Sequence, residues 1–494
     1  MDRREFMRAS TAAATTGRAA ALPDKEQPGF PSPALAMKAS REKFLFVTCS
    51  HGGTDIWEPD YLATIDVDPG SANYSKVVSR VTMPVVGDEL FHFGWNVCSS
   101  SHKKWSYRKY LIVPGVRSGR IHIVDVEVPE RLWMHKVIEP TAILDAAGCS
   151  APFTARPLPT GEIMVSMLGD RPSLDKSSDR HGPGFLLLDE KFAIKGRWDP
   201  LGASGIDVFG DFWYQTGVEN PVLISTSFAH PATFLKGFDP KDAETWWGYR
   251  GDAIRIWNWK DPTAVNPVSV GKDGQGLLPV RFLHNPTKPR AFVGAVLTGT
   301  IWCLAAGKTR VPTTANYRAH QVIQIKLANV GGKPLRPMTT DMVISMDDKF
   351  LYLSNWLHGD VRQYDISDPF EPKLTAQIFL GGLLGKSVEP EGKRLWGTDH
   401  FGKKLSGGPQ SLQLSLDCKR LYVTNSFFSA WDNQFYPAIA KKGSWMVQID
   451  CDSNKGGMKL NGDFFVDFGK EPCGPSRARE VHCDGGDCTS DIFV

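Results

Sequence analysis

Residues 346–369, MDDKFLYLSNWLHGDVRQYDISDP, decide the fold of this chain. The run Phe350–Ser354 is short, apolar and rich in strand-forming residues, and Val361–Ile366 is a second run of the same kind. A tight connection ending in Gly-Asp lies between them, and aspartates and Pro369 flank the pair as turn formers. The stretch therefore predicts an antiparallel β-hairpin.

The same pattern recurs through the chain. Leu414–Asn425 repeats a turn, a basic residue, an apolar strand and a Thr-Asn ending. Several predicted strands end in aspartate, tens of residues apart: Asp125, Asp189, Asp365 and Asp450. Helical patterns are few and short: Pro140–Ala147, Pro240–Trp246 and Ala438–Lys442. Because strand-rich chains of this length protect their edges by closing a ring, we predict an all-β fold, a single closed β-propeller with seven blades favoured over six or eight.

Composition and charge narrow the classes of function. The 494 residues are 41% hydrophobic and carry a formal net charge of +3, without a long basic run. These values argue against a nucleic-acid partner. No apolar run is long enough to predict a membrane span, and nothing in the sequence indicates an oligomeric state.

The first 30 residues differ from the rest. Arg3-Arg4 followed by Glu-Phe-Met and an Ala-rich run fits a twin-arginine export signal, although Arg18 places a charge in its apolar part. We predict a signal-like or disordered tail over residues 1–30 and a propeller domain over 31–494, with a loop insertion at 381–406. The expected location is the periplasm or another exported one, and the cytoplasm if the weakened signal fails.

Familiar catalytic motifs are absent. The sequence lacks P-loop, dinucleotide-binding, zinc-protease and α/β-hydrolase signatures. The remaining candidate ligands are scattered: His92, His284, His358 and Cys98. Each histidine alone is more often a hydrogen-bonded structural residue, but the inner strands of a propeller converge and could bring distant ligands together. Of the nine cysteines, an odd number, only Cys483 and Cys488 are placed for a local pair, and buried free thiols are the alternative.

Specific phrases along the whole chain carry a resemblance. They include Asp60–Pro69, Gly94–Asn96, His135–Pro140, Asp211–Gln215, Arg281–Pro286, Ser354–Asp360, Ser429–Asp432, Gln434–Pro437, Asp463–Gly469 and Gly485–Ile492. In these phrases the chain resembles the selenium-binding proteins, a family that includes methanethiol oxidases. The resemblance implies a β-propeller that oxidises methanethiol with O2 to formaldehyde, hydrogen sulfide and hydrogen peroxide. It also implies copper as cofactor, selenium as a further candidate, and Cys98 and Cys49 as thiol or selenium sites.

The chain departs from this family where metal ligands are expected. The substituted positions, at which the family pattern has histidine, are Phe91, Phe153, Arg156, Ala253 and Arg479. Phenylalanine cannot ligate a metal, and arginine stays protonated and repels one. The chain retains His92, His284 and His358 as predicted metal ligands, which make a poorer site.

Three hypotheses follow. The first is a selenium-binding-protein-type methanethiol oxidase, impaired by the substituted ligands. The second is a non-catalytic propeller that binds a small anion, a selenium or thiol species, or a protein partner, and the third is a bare scaffold. If Arg156 and Arg479 share one site, they predict a small anionic ligand. If each pairs with a nearby carboxylate such as Glu480, Asp88 or Glu89, the channel is closed by salt bridges.

Overall fold

Seven four-stranded antiparallel sheets form the body of the protein. The computed structural model describes residues 30, 32–98, 108–169, 182–200, 209–215, 222–242, 252–307, 314–384, 399–400 and 403–487. The first strands of most neighbouring sheets contact each other and are therefore innermost. This arrangement confirms the predicted closed β-propeller with seven blades.

The strands of each blade are given from the axis outward. Blade 1 has β32 (Arg477–Cys483), β1 (Phe44–Ser50), β2 (Tyr61–Asp66) and β3 (Lys76–Thr82). Blade 2 has β4 (Gly94–Trp95), β5 (Tyr110–Pro114), β6 (Ile121–Asp125) and β7 (Trp133–Ile138). Blade 3 has β8 (Pro152–Pro157), β9 (Ile163–Met167), β10 (Gly184–Leu188) and β11 (Ile194–Arg197). Blade 4 has β12 (Phe212–Tyr214), β13 (Val222–Ser225), β14 (Ala253–Asn258) and β15 (Val265–Ser269).

Blades 5 to 7 follow the same order. Blade 5 has β16 (Leu277–Phe282), β17 (Arg290–Ala295), β18 (Thr300–Ala306) and β19 (Tyr317–Gln324). Blade 6 has β22 (Thr339–Ile344), β23 (Phe350–Asn355), β24 (Asp360–Asp365) and β25 (Lys373–Phe379). Blade 7 has β28 (Leu412–Leu414), β29 (Arg420–Thr424), β30 (Trp445–Cys451) and β31 (Met458–Asp467). Two small hairpins add β20 (Ala328–Val330) with β21 (Lys333–Leu335), and β26 (Asp399–His400) with β27 (Lys403–Lys404).

The predicted hairpin is the middle of blade 6. Strands β23 and β24 pair with Phe350 opposite Asp365 and Asn355 opposite Asp360. The predicted aspartate endings mark the place where the third strand of a blade turns into the fourth, except that Asp450 lies within β30 and the turn residue of blade 7 is Asp452. The carboxylates of Asp66, Asp125, Asp189 and Asp365 each accept a backbone N–H from two residues further on. An Asp-based turn at this point is thus the repeated local signal of the fold.

Ring closure joins the two ends of the chain. In blade 1 the N-terminal strand β1 pairs antiparallel with the C-terminal strand β32, with Leu45 opposite Cys483 and Val47 opposite Val481. The hydrophobic clusters lie mostly at seams between blades; one joins Val47 of blade 1 to Met446 of blade 7. Burial of these apolar faces, at about 25 cal/mol per Å2, stabilises each seam.

The helices are short, and one of them lies against the axis through Ser429. They are α1 (Pro33–Ala36), α2 (Pro140–Ala147), α3 (Pro231–Phe234), α4 (Pro240–Asp242), α5 (Ser429–Phe435) and α6 (Ile439–Lys442). Helix α2 has the predicted bounds, with proline in its first turn and Gly148 in the left-handed conformation at its end. Helix α5 was not predicted. Among the described residues, no helix has the length and apolarity to cross a membrane.

Two predicted segments fall largely outside the described residues. Of the tail over residues 1–30, the structure describes only Phe30, which packs against a cluster formed by blades 6 and 7. The predicted loop insertion at 381–406 is described at 381–384, 399–400 and 403–406. Cys488 also lies outside, so its pairing with Cys483 stays a prediction. The domain boundaries stay predictions as well.

Candidate functional site

The axis of the propeller is the place where the substituted ligand positions meet. Four of the five, Phe91, Phe153, Arg156 and Arg479, lie on or next to the innermost strands of blades 1, 2 and 3. The fifth, Ala253, begins the third strand of blade 4 and pairs with Ser269. Ala253 thus lies on a third strand, farther from the axis than the other four positions, and its place among the ligand positions stays a prediction.

A strained turn carries the chain onto the innermost strand of blade 2. Glu89 and His92 have φ angles of 56° and 26°, which side-chain-bearing residues rarely adopt. Such conformations cost on the order of 1–3 kcal/mol each and persist only where surrounding contacts fix them. The Asp60 carboxylate fixes this turn by accepting the Glu89 backbone N–H at 2.8 Å. The turn points Glu89, Phe91 and His92 towards the axis.

Arg479 is fully enclosed beside this turn. Its side chain is 1% exposed, and its Nη2 donates to Glu89 Oε1 and to Ser429 Oγ, both at 2.7 Å. Its Nη1 donates to the Leu90 carbonyl at 3.1 Å. Burial opposes ionisation of Glu89, yet Arg479 and the Ser429 backbone N–H hold the pKa of this carboxyl below its ordinary value. Arg479 thus forms an ion pair with Glu89, one of the carboxylates that the salt-bridge hypothesis gave as a possible partner.

An aromatic stack fills the same end of the axis. The Phe91 ring stacks on Phe153 at 5.0 Å and on Phe428 at 4.9 Å between centroids. Phe153 continues the stack to Phe228 at 6.5 Å. The His92 ring lies against the Phe91 and Phe153 rings, at centroid distances of 4.6 Å and 4.9 Å. This end of the axis is therefore apolar and closely packed.

A run of alternating charges crosses blades 3 to 6. Arg156 Nη2 lies 3.1 Å from Asp211 Oδ1, and Arg281 Nη1 lies 2.9 Å from Asp211 Oδ2. Arg281 Nη2 continues to Asp341 Oδ1 at 3.0 Å. Burial opposes ionisation of Asp211, but the two guanidiniums hold its pKa below the ordinary value. Burial prevails at Asp341 and raises its pKa, although Arg281 opposes this.

A second polar run links blades 1 and 2. Glu480 Oε1 lies 3.5 Å from His92 Nδ1 and 3.5 Å from His482 Nε2. His482 also contacts the Phe93 carbonyl through Nε2 and Asp487 Oδ2 through Nδ1, both at 2.9 Å. Although burial disfavours its charge, Asp487 and Glu480 raise the pKa of His482 to about 10, so its ring is a cation that donates from both nitrogens. The ring nitrogens of His92 and Oε2 of Glu480 are buried without a hydrogen-bond partner.

The three predicted metal ligands are not brought together. His284 Nε2 contacts the Ile344 carbonyl at 3.2 Å, and His358 Nε2 contacts the Leu335 carbonyl at 3.1 Å. Both rings are thus engaged with backbone carbonyls, whereas His92 lies at the axis. Within the described part of the chain, no group of three or more His, Cys, Asp or Glu side chains could hold a metal ion.

The residues of this axis therefore do not fit copper. Copper needs imidazole, thiolate or thioether ligands in a defined geometry. In the described part of the axis, His92 and Glu480 have imidazole and carboxylate atoms without a hydrogen-bond partner. They are flanked by the Arg156 and Arg479 guanidiniums and by the His482 cation, which repel a metal ion. We derive no chemical step through copper.

The two thiol candidates are both buried. Cys49 lies on strand β1 and is 0% exposed, with Sγ 3.8 Å from the Val47 carbonyl. Burial raises the pKa of the Cys49 thiol well above its ordinary value, so it is a poor nucleophile. Cys98 follows β4 and is also 0% exposed. Their role in binding thiol or selenium stays a prediction.

A small cavity of about 20 Å3 lies at the opposite end of these innermost strands. It has room for a water molecule. Its walls include Phe93, Arg156, Trp213 and His482. The Arg156 guanidinium stacks 3.8 Å from the Trp213 ring centroid. This cavity combines an aromatic wall with two cationic side chains.

Sequence reasoning missed most of the charged partners. Asp211 and Arg281 stood inside phrases that carried the resemblance but were not considered as axial groups, and Asp341 and His482 were not singled out. The available signal was a charged residue within an apolar strand, as in Leu-Leu-Pro-Val-Arg281-Phe. Such a residue must find a partner when the strand is buried.

Comparisons with known proteins agree over nearly the whole chain. The family model described as 56kDa selenium binding protein matches residues 24–494. Selenium-binding protein 3 of Arabidopsis thaliana is 45% identical over 483 residues, covering 95% of this chain and 97% of the relative. Methanethiol oxidase of Homo sapiens is 44% identical, covering 94% and 98%. The crystal structure of a hypothetical selenium-binding protein from Sulfolobus tokodaii superposes with a TM-score of 0.82 at 35% identity, covering 95% and 99%. The propeller fold and these matches over nearly the full length together place the chain in the selenium-binding protein family.

Proposed function

We propose that this protein is a thiol oxidoreductase whose substrate is methanethiol. The reaction consumes methanethiol, O2 and water and yields formaldehyde, hydrogen sulfide and hydrogen peroxide, which balances in atoms. One observation carries the proposal: relatives named methanethiol oxidase, from Xenopus laevis and Homo sapiens, match 94% of this chain at 44–45% identity.

The rings at the aromatic end of the axis are closely packed, so a small apolar thiol would lie against them only after they move apart. Sulfur contacts with aromatic rings are favourable by ~0.3–1.5 kcal/mol each. The rings of Phe91, Phe153 and Phe428 supply such a wall. His92 lies against this wall, and its Nδ1 is 3.5 Å from Glu480 Oε1.

The test is a product balance with purified protein. Methanethiol loss is followed in the headspace by gas chromatography, while formaldehyde, sulfide and peroxide are measured in solution. The human relative, assayed in parallel, serves as the positive control. Consumption of methanethiol with equal formation of the three products is expected; its absence beside an active control would overturn the proposal.

A second candidate is a non-catalytic propeller that binds a small anion or a selenium or thiol species. Two cations at substituted ligand positions, Arg156 and Arg479, favour it. Against it, each guanidinium already pairs with a buried carboxylate, Asp211 or Glu89. Calorimetric titration with acetate, sulfite and selenite, comparing wild type with Arg156→Ala, separates the two. Equal, negligible heats from both proteins reject anion binding at Arg156.

We also propose that the protein is exported. The family match begins at residue 24, which leaves the twin-arginine-like segment outside the part shared with relatives. This supports a separate role for that segment.

A further inference from the structure

Polar contacts at the axis connect the innermost strands of blades 3 to 7 in sequence. Arg156 of blade 3 pairs with Asp211 of blade 4, and Asp211 pairs with Arg281 of blade 5. Arg281 pairs with Asp341 of blade 6, whose Oδ2 accepts the Leu412 backbone N–H of blade 7 at 2.9 Å. Each contact thus passes from one blade to its neighbour.

The remaining blades complete the circuit. Thr424 Oγ1 of blade 7 donates to the Arg479 carbonyl of blade 1. Arg479 pairs with Glu89 on the turn that enters blade 2. The His92 carbonyl of that turn accepts the Ala155 backbone N–H of blade 3 at 3.1 Å. Contacts between neighbouring blades therefore form a ring around the axis, which in blade 7 passes through the second strand, β29.

The charges within this ring balance. Arg156 and Arg281 face Asp211 and Asp341, which gives two cations and two anions. Arg479 faces Glu89 with side chains 1% and 2% exposed. A guanidinium remains charged at every physiological pH and binds a carboxylate in a fixed geometry. The carboxylates of this ring are thus already paired with guanidinium groups, and the remaining axial carboxylate, Glu480, lies 3.5 Å from the His482 cation.

We propose that the guanidinium groups of Arg156 and Arg479, which stand at two of the substituted ligand positions, are permanent internal cations of the axis in place of a metal ion. The chain accordingly folds and keeps its ring closed without any metal, and it takes up no stoichiometric copper. This inference goes beyond the proposed function and is independent of whether the protein oxidises methanethiol.

Copper loading is the first test. Purified protein is incubated with Cu(II), or with Cu(I) under reductant, passed through a desalting column and analysed for copper per chain. Thermal unfolding is recorded with copper, with EDTA and without either. The expected result is copper well below one atom per chain and the same midpoint in all three conditions. One retained copper per chain, with a midpoint that rises with copper and falls with EDTA, overturns the proposal.

Charge variants are the second test, without added metal. Arg156→Gln removes a cation and is expected to lower the unfolding midpoint by several degrees, whereas Arg156→Lys keeps the charge and loses less. Lys195→Gln is the matched control, because Lys195 pairs with Glu162 at the surface and is 51% exposed. If Arg156→Gln unfolds no earlier than the control, guanidinium charge does not support the ring. If Arg156→Gln cannot be isolated folded, the Lys variant and the copper measurement still decide.

The two tests separate this inference from the oxidase proposal. Methanethiol turnover by copper-free protein supports both the internal-cation inference and the oxidase proposal. If the protein neither binds copper nor turns over methanethiol, only the oxidase proposal is rejected. Copper uptake overturns the internal-cation proposal whatever the activity.

Discussion

Replacement of Arg281 by methionine tests the axial ring most directly. The side chain is 6% exposed and joins two buried carboxylates, at 2.9 Å to Asp211 and 3.0 Å to Asp341. Methionine has a similar length and no charge, so it leaves Asp341 without its guanidinium partner, while Asp211 retains Arg156. Breaking a buried pair in this way costs about 3–5 kcal/mol, because one charge stays buried and uncompensated.

The effect should depend on pH. Burial already raises the pKa of Asp341, and loss of the opposing Arg281 raises it further. A carboxyl whose folded pKa lies above its unfolded pKa binds a proton on folding, so its penalty is relieved in acid and grows as the pH rises. The stability deficit of Arg281→Met is therefore expected to be smaller at about pH 5 than at about pH 8.

The assay is chemical or thermal unfolding of wild type and variants at both pH values. Arg120→Met is the matched control, since Arg120 pairs with Glu139 at 3.0 Å on the surface, where such pairs contribute ~0–1 kcal/mol. The double variant Arg281→Met with Asp341→Asn removes the stranded charge and should recover part of the loss. An Arg281→Met deficit no larger than that of the control, or one that grows in acid, would refute the reasoning.

Three further predictions follow from individual positions. Gly94→Ala should destabilise the protein by about 1–3 kcal/mol because its Cβ would lie 2.0 Å from a blade 3 carbonyl oxygen, whereas Gly462→Ala, with no atom within 4 Å, should not; equal unfolding midpoints would contradict this. The folded pKa of His482, about 10, lies above the ordinary 6.5, so the charged ring contributes fully to the free energy of unfolding below pH 6.5 and progressively less towards pH 10. In His482→Gln the free energy of unfolding should therefore fall less between pH 6.5 and pH 10 than in wild type, whereas His135→Gln should behave like wild type. A reporter fused behind residues 1–40 should be exported through the twin-arginine route, and a wholly cytoplasmic reporter would refute export.

Local sequence determined the blades. Strand length, turn residues and the aspartate that ends the third strand are signals within a few residues of one another, so the hairpin of β23 and β24 could be predicted directly. Helix α2 could be predicted for the same reason, since proline and glycine mark its ends. The repeated unit, and from it a propeller with seven blades favoured, needed no tertiary information.

The substituted ligand positions could also be named from the sequence, but their partners could not. Arg479 was expected either to share an anion with Arg156 or to pair with a carboxylate. Only the structure shows that its partner is Glu89, 390 residues away along the chain. Arg156 pairs with Asp211, a residue that no local pattern connects to it.

Ring closure is the physical reason for this division. The sequence encodes which segments extend and where they turn, because backbone propensity and side-chain alternation act over neighbouring residues. Which charges meet at the axis depends on how seven blades arrange around it, with β1 paired to β32 to close the circle. The strands and turns of each blade are therefore determined by local sequence, whereas the ion pairs at the axis depend on the arrangement of all seven blades.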